Sequence, residues 1–309
     1  MNIKDHVRKL RSPVEIGAFA AGMAMVPWLP RRSVVRLAAA LGAAAYRMDG
    51  RSRRIAQANL RLALPGINAA GRENAVVRAA FQTMALTYLD LFWFARHSAA
   101  RLRKHVAFDP SFNVIFRQSP VIAVCAHFGN WEAIGQAASL AGAPVVSVAS
   151  PMRDKTLDRW LCRLRTRTGQ QIVAREGAAR RLLRALRNDQ LVALLLDQNT
   201  RLSEGGIWMD FFGLPVPVSG IVELLAGRTG AATIPVYGYP LANGDYRAVA
   251  GPVMTAAETG DTPGALTVAL MHDLETRIRE RPELWLWMYK RWKYIAPEAD
   301  GARYPFYAK

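Results

Sequence analysis

The 309-residue sequence predicts an α/β fold with a mostly parallel central sheet flanked by helices, preceded by a helical N-terminal region. Two observations carry that reading. The first hundred residues are rich in Ala and Leu at helical spacing, and after Pro110 short β-rich runs alternate with helical runs, the texture of a layered parallel sheet. No internal repeat or low-complexity linker interrupts the chain, so residues 106–309 read as one α/β unit with residues 33–105 packed against it.

The elements follow in order. Residues 16–30 (IGAFAAGMAMVPWLP) carry no charge and are bracketed by Lys4, Arg8, Lys9 and Arg11 before and by Arg31 and Arg32 after. As a helix this run reaches about 22 Å, short of the roughly 30 Å hydrocarbon core of a bilayer. A cleaved signal peptide, a buried core helix and a segment lying in the cytoplasmic leaflet are the three readings. Pro30 and the arginines after it argue against cleavage, and the basic flanks favour the leaflet, so residues 1–32 are expected to form a membrane-associating helix. Residues 33–64 continue as helix until Pro65-Gly66. Val77, Phe81, Met84, Tyr88 and Leu91 then recur at helical steps and form a stripe expected to face the core.

Beyond Pro110 the expected strands are 121–126, 145–149, 191–196, 232–239 and 246–250. The expected helices are 131–140, 157–168, 178–186 and 266–279. The terminal tryptophans Trp285, Trp287 and Trp292, set among Lys290, Arg291 and Lys293, read as a strand with one buried face or as an interfacial anchor.

Composition narrows the function classes. Hydrophobic residues at 51% and charged residues at 21% exclude disorder for most of the chain, while 41 Lys+Arg against 24 Asp+Glu leave a net charge of +17 that asks for an acidic partner. The surplus is local: +9 over residues 1–61, +3 over 62–152, +8 over 153–187 and −3 over 188–309. Trp160 lies within the central basic block. No zinc-finger spacing, ribonucleoprotein motif or long lysine run accompanies it, so nucleic acid is not the expected partner. Cys125 and Cys162 make no disulfide framework, and the five histidines have no metal-ligand spacing.

The segment 126–135, AHFGNWEAIG, carries the chemistry. It places His127 at the carboxyl end of a buried strand, where catalytic groups of open α/β sheets gather, and Glu132 in the first turn of the next helix. Across that junction Glu132 can approach one ring nitrogen, fix the tautomer and stabilise the imidazolium while the other nitrogen takes a proton. The alternative is a capping glutamate beside a loop histidine. Cys125 shares a strand face with His127 and permits a Cys–His reading, although a buried strand cysteine acting as a small hydrophobe fits better. Asp197 ends an apolar run at another strand terminus near the same sheet edge. It either serves a site there, by holding a ligand or by positioning Arg165, or caps a turn. Trp208, Phe211, Phe212 and Gly213 lie in an irregular aromatic segment that either fills the core or forms an exposed apolar lid.

HFGNWE resembles the H-x4-D/E signature of glycerolipid-type acyltransferases, and in this form it is similar to the lipid A late acyltransferase branch, the lauroyl and myristoyl transferases of lipopolysaccharide assembly. Residues 196–213 (LDQNTRLSEGGIWMDFFG), Ile234-Pro235-Val236 and residues 281–293 (RPELWLWMYKRWK) resemble further motifs of that family in the same order. Pro282, Glu283, Trp287, Arg291 and Lys293 match the terminal motif, in which Tyr289 replaces a histidine and Lys290 an arginine. The wider family's E-G-T-R block is absent, and Asp197-Gln198-Asn199-Thr200-Arg201 stands in its place.

The resemblance implies a glycerolipid acyltransferase-like fold and direct transfer without an acyl-enzyme. His127 deprotonates a lipid hydroxyl, Glu132 orients His127, and Arg165, in a CRLR stretch similar to the branch's G-R-L-R, stabilises the oxyanion or positions the donor. Arg165 read without the resemblance is one solvated arginine of a basic block. Asn130, Asp197, Gln198, Phe211, Phe212, Gly213 and Arg291 are the implied substrate-binding residues. No cofactor or metal is expected. The co-substrate is an acyl-acyl carrier protein or acyl-CoA, the acceptor a phosphorylated glycolipid, and the place the cytoplasmic face of the inner membrane. A lysophospholipid or other glycolipid acceptor, a non-catalytic basic protein and a Cys125–His127 thiol hydrolase are the competing readings.

Overall fold

Helices open the chain in the computed structural model, which describes residues 3–68, 71–260 and 262–309, and the side chains of all of these except 3–12 and 14. Helix α1 (Ile3–Met25) runs through most of the uncharged stretch; a 3-10 turn at Val26–Trp28, with Pro27 in its first turn, separates it from α2 (Arg31–Met48). The side chains of Lys4, Arg8, Lys9 and Arg11 lie outside the described residues. Helices α3 (Gly50–Ala63), α4 (Glu73–Trp93) and α5 (Ser98–His105) complete the N-terminal third. Asp49 starts α3 by accepting the Ser52 N–H at 2.9 Å. In α4 the expected stripe is buried at Val77, Phe81, Met84 and Leu91, but Tyr88 is 56% exposed and faces the site described below.

The remaining elements are β1 (Val106–Phe108), α6 (Asn113–Arg117), β2 (Val121–Cys125), α7 (Trp131–Leu140), β3 (Val145–Ala149), α8 (Lys155–Thr166), β4 (Gln171–Ala174), α9 (Ala178–Arg187) and β5 (Leu191–Leu195). They continue with β6 (Gly206–Phe211), β7 (Leu214–Ser219), α10 (Ile221–Thr229), β8 (Ala232–Pro240), β9 (Tyr246–Ala250), α11 (Ala256–Thr259) and α12 (Ala265–Glu280). The described residues form a seven-stranded sheet in the order β1-β9-β8-β2-β5-β3-β4. From β8 to β4 the strands are parallel; β9 runs against β8, and β1 follows β9. The mostly parallel α/β fold expected from the sequence is the one observed.

Strand order decides which face each helix covers. From β2 to β3 to β4 the chain moves toward one edge of the sheet, then turns back to β5 and on to β8. Parallel crossovers are right-handed, so α7 and α8 cover one face while α9 and α10 cover the other. The core agrees. Ala123, Val145, Leu191 and Val236 pack with Ala133, Ile134, Ala137 and Ala138 of α7, whereas Ile122, Val124, Val192 and Leu194 pack with Leu182 and Leu186 of α9 and Leu225 of α10.

Four stretches in the α/β unit differ from the sequence reading. The aromatic segment forms a hairpin, β6 paired with β7 in register Phe211↔Leu214, and turns at Phe212 (φ 52°) and Gly213 (φ 74°). The short strand β4 and helix α10, both unforeseen, are half-buried or broken by Gly227 and carry weak periodicity. The terminal tryptophans form no strand. Trp285, Trp287 and Trp292 are fully buried in an irregular segment behind the hairpin, so they fill the core and anchor no interface. No helix among the described residues is long and apolar enough to cross a membrane.

Candidate active site

The site is built where β2 and β5 end side by side. Cys125 pairs with Leu195 in the parallel register, so His127 and Asp197, each two residues further on, leave the sheet at the same level and on the same face. The chain after His127 must turn at once. Gly129 has φ 58°, and a Cβ there would collide with the Gly238 carbonyl oxygen at the end of β8. Its N–H donates to the Leu284 carbonyl at 2.8 Å, and the Leu286 N–H donates to the His127 carbonyl at 3.1 Å, so the buried tryptophan segment clamps the histidine backbone.

His127 Nδ1–H donates to Asp197 Oδ1 at 2.8 Å, while Asp197 Oδ2 accepts the His127 backbone N–H at 2.9 Å and the Trp285 indole N–H at 2.9 Å. Three donors thus meet one carboxylate that is only 2% exposed. Burial pushes the Asp197 carboxyl pKa up, but the His127 charge and the hydrogen bonds outweigh it and hold the group below its usual range. Burial likewise opposes protonation of His127, and attraction to Asp197, with a smaller share from Glu132, raises its pKa overall. With Nδ1 committed to Asp197, the lone pair sits on Nε2, which faces a cavity of about 1020 Å³. Gln198 Nε2 lies 3.4 Å from that nitrogen, and Trp131 packs edge-on to the ring at 4.7 Å between centroids.

The expected bond between Glu132 and the imidazole is not made among the described residues, because the register of β2 and β5 fills that position with Asp197. Glu132 instead accepts from Arg165, whose Nε lies 3.0 and 2.9 Å from the two carboxylate oxygens and whose Nη2 makes a further bond to Oε1. The pair is mostly sequestered, and burial is outweighed by the Glu132 charge, so the Arg165 pKa is raised. Glu132, Arg165, His127 and Gln198 all line the cavity.

The other implied substrate-binding residues do not line it. Asn130 is buried; its Oδ1 caps α7 through the Ala133 N–H at 2.9 Å, and its Nδ2 donates to Asp90 at 3.1 Å. Asp90 in turn is bound by Arg31 and by the Tyr246 hydroxyl, which ties α2, α4 and β9 to the start of α7. Asp197 neither lines the cavity nor bonds Arg165; it holds the base. Phe211 is fully buried against Trp285 and Trp292, and Phe212 and Gly213 make the hairpin turn, so none of the three forms a lid. Arg291 is fully buried, donating to Asn199 Oδ1 at 2.6 Å and to the Pro217 carbonyl at 3.2 Å over the Phe211 ring. Burial lowers its pKa to about 10; it braces the hairpin and is out of reach of a substrate. Burial, helped by Asp197, pushes the Cys125 thiol up to about 12, which leaves it an uncharged wall of the cavity.

Much of the wall is apolar: Ala123, Ile134, Ala138, Val145, Ala193 and Val236 under α7, and Leu182, Ile207, Ile221 and Leu224 on the other side. No serine or cysteine is hydrogen-bonded to His127 among the described residues. Fold and pocket together are those of an α/β acyltransferase. The profile of the bacterial lipid A biosynthesis acyltransferase family matches residues 2–294, and the chain belongs to that family. A protein of Haemophilus influenzae (strain ATCC 51907 / DSM 11121 / KW20 / Rd) described as a lipid A biosynthesis acyltransferase is 23% identical over 269 residues, covering 85% of this chain and 83% of the relative. Among solved structures, the 1-acyl-sn-glycerophosphate acyltransferase PlsC from Thermotoga maritima matches 72% of this chain and 96% of its own at 14% identity and a TM-score of 0.36.

Proposed function

We propose that the protein transfers a fatty acyl chain from the thioester of an acyl carrier protein to a hydroxyl of a lipid A precursor, working on the cytoplasmic face of the inner membrane. The observation that carries the reading is His127 Nε2, held by Asp197 at the opposite ring nitrogen and aimed into a large, partly apolar cavity. The acceptor hydroxyl gives its proton to Nε2, and its oxygen attacks the thioester carbonyl. The tetrahedral intermediate carries an oxyanion, for which Arg165, steadied by Glu132, is the cation at hand. Collapse expels the thiolate, which takes the proton back from the imidazolium, and the ester and the carrier thiol leave. Asp197 stays ionised throughout and stabilises the charged ring.

Membrane association rests on the N-terminal helices. Met25 is 62% and Trp28 67% exposed beside the exposed alanines of α1, and Arg32, Arg36, Arg47 and Arg51 are exposed nearby in sequence. An apolar surface with a basic border suits the headgroup boundary of an anionic leaflet. The +17 charge then has two acidic counterparts, the lipid surface and the carrier.

Mass spectrometry of lipid A and phospholipids from cells with and without the gene tests the reading. Lipid A lacking one secondary acyl chain in the deleted strain, restored by the wild type and not by His127→Ala, is the expected result. Unchanged lipid A with an altered phospholipid would reassign the acceptor.

A further inference from the structure

We infer that the exposed arginine face of α9 is the docking surface for the acidic carrier that delivers the acyl group, and that the donor enters from this side while the lipid acceptor enters from the side of α1. The inference rests on the carrier-protein donor proposed above. The central basic block looked continuous in sequence, but the fold cuts it in two. Helix α8 shares the α7 face of the sheet and touches α1, where Phe19 stacks on Trp160 at 5.5 Å. Helix α9 lies on the opposite face, away from the apolar surface of α1.

Arg181, Arg184 and Arg187 recur at steps of three along α9, Arg180 lies four before Arg184, and all four are exposed, while Leu182, Ala185 and Leu186 are buried. None of the four guanidinium groups takes part in a hydrogen bond or ion pair among the described residues. No acidic residue occupies the first turn, so two arginines sit near the positive end of the helix dipole and like charges face each other at helical spacing. Both arrangements oppose the isolated helix. An acidic surface laid across the stripe relieves them. Arg228, exposed on the adjoining α10, extends the same charge.

Residues that line the cavity are exposed on both sides of the sheet. On the α8 side, Tyr88 and Met152 are exposed lining residues. On the α9 side, Gly177 and Arg175 just before the helix, with Leu195 and Leu224, are lining residues that are also exposed. The arginine stripe therefore begins within one turn of exposed residues of the cavity that His127 also lines, and Leu224 adds an apolar contact there. A carrier seated on α9 would present its flexible thioester arm to the cavity from this side, on the face of the sheet opposite α8 and α1.

The test compares two donors bearing the same acyl group: acyl carrier protein, and pantetheine, which has no acidic surface. In the Arg181→Glu/Arg184→Glu variant, KM for the acylated carrier is expected to rise about tenfold or more with little change in kcat, and its dependence on ionic strength to flatten. KM for acyl-pantetheine and binding to phosphatidylglycerol vesicles should stay at the wild-type level, and Arg181→Gln/Arg184→Gln should give an intermediate carrier KM. An unchanged carrier KM overturns the docking surface, as does loss of vesicle binding in its place. Wild-type enzyme that uses acyl-pantetheine or acyl-CoA as readily as the acylated carrier overturns the donor reading itself, whatever the variants do.

Discussion

His127 and Asp197 face each other across adjacent strand ends, Nδ1 to Oδ1 at 2.8 Å, although 70 residues separate them in the chain. Glu132, only five positions from the histidine, turns instead to Arg165. The carboxylate nearest in sequence is thus not the one that orients the base.

Asp197→Asn keeps the side chain's shape and removes its charge. Asp197 raises the His127 pKa, and the base works when neutral, so wild-type activity is lost as pH falls through that raised value. In the variant the acid limb of kcat/KM should move to lower pH, with a rate loss of about 10²–10⁴. A pH–rate profile checks both; an acid limb that does not move removes Asp197 from the base's control. Stability has a separate sign. The folded Asp197 pKa is lowered, so its contribution is present above the usual carboxylate range and is lost as pH falls through the lowered value.

The Glu132–Arg165 pair should behave as one unit. Glu132→Gln and Arg165→Ala should each cost about 10²–10³ in kcat, and the double variant little more than either. Additive losses in a double-mutant cycle would separate the two roles. Arg165→Ala should also destabilise by about 1–3 kcal/mol because it strands a sequestered carboxylate, whereas Glu132→Gln leaves a partly exposed cation and should cost less.

Gly129→Ala tests the turn that delivers His127. The left-handed φ and the closeness of the Gly238 carbonyl leave no room for a Cβ. Thermal unfolding should report a loss of at least about 1–3 kcal/mol, with transfer lost at temperatures where the fold persists. Wild-type turnover would show that the loop relaxes around the new methyl.

Ala138, on α7 against the apolar wall, offers a probe of chain length. Ala138→Leu should narrow the cavity and shift acyl preference to shorter chains at a stability cost of about 1–3 kcal/mol or less. Competition between acyl donors of different length, read by mass spectrometry, decides it; an unaltered preference would place the chain on the other side of the sheet edge.

Met25→Glu/Trp28→Glu should weaken binding to anionic vesicles by about 10–100-fold, since the two exposed side chains together supply a few kcal/mol of apolar burial. Flotation with phosphatidylglycerol vesicles measures this. Full binding by the variant would move the contact away from the turn after α1.

Local chemistry made the alternation of strands and helices legible, because buried strands read as runs of Val, Ile and Leu and helices as periodic stripes. It also made His127 stand out, since a histidine after VIAVCA is placed at a strand end by the strand itself. The β6–β7 hairpin was less legible. Leu214–Ser219 carries two prolines, which argue against a strand, yet the segment pairs with one neighbour in a two-stranded ribbon where the missing N–H groups are tolerated.

Sequence by itself determined the fold class and the family, and singled out His127 and Glu132 by residue type and short-range spacing and Arg165 by resemblance; the structure alone joined Glu132 to Arg165. Only tertiary structure decided that Asp197 holds the base, that Arg291, Asn130 and Phe211 are structural, and that the central basic block faces two ways. Partner choice across a parallel sheet depends on register between distant strands, and helix placement depends on the direction in which the chain crosses. Neither quantity is local in the sequence.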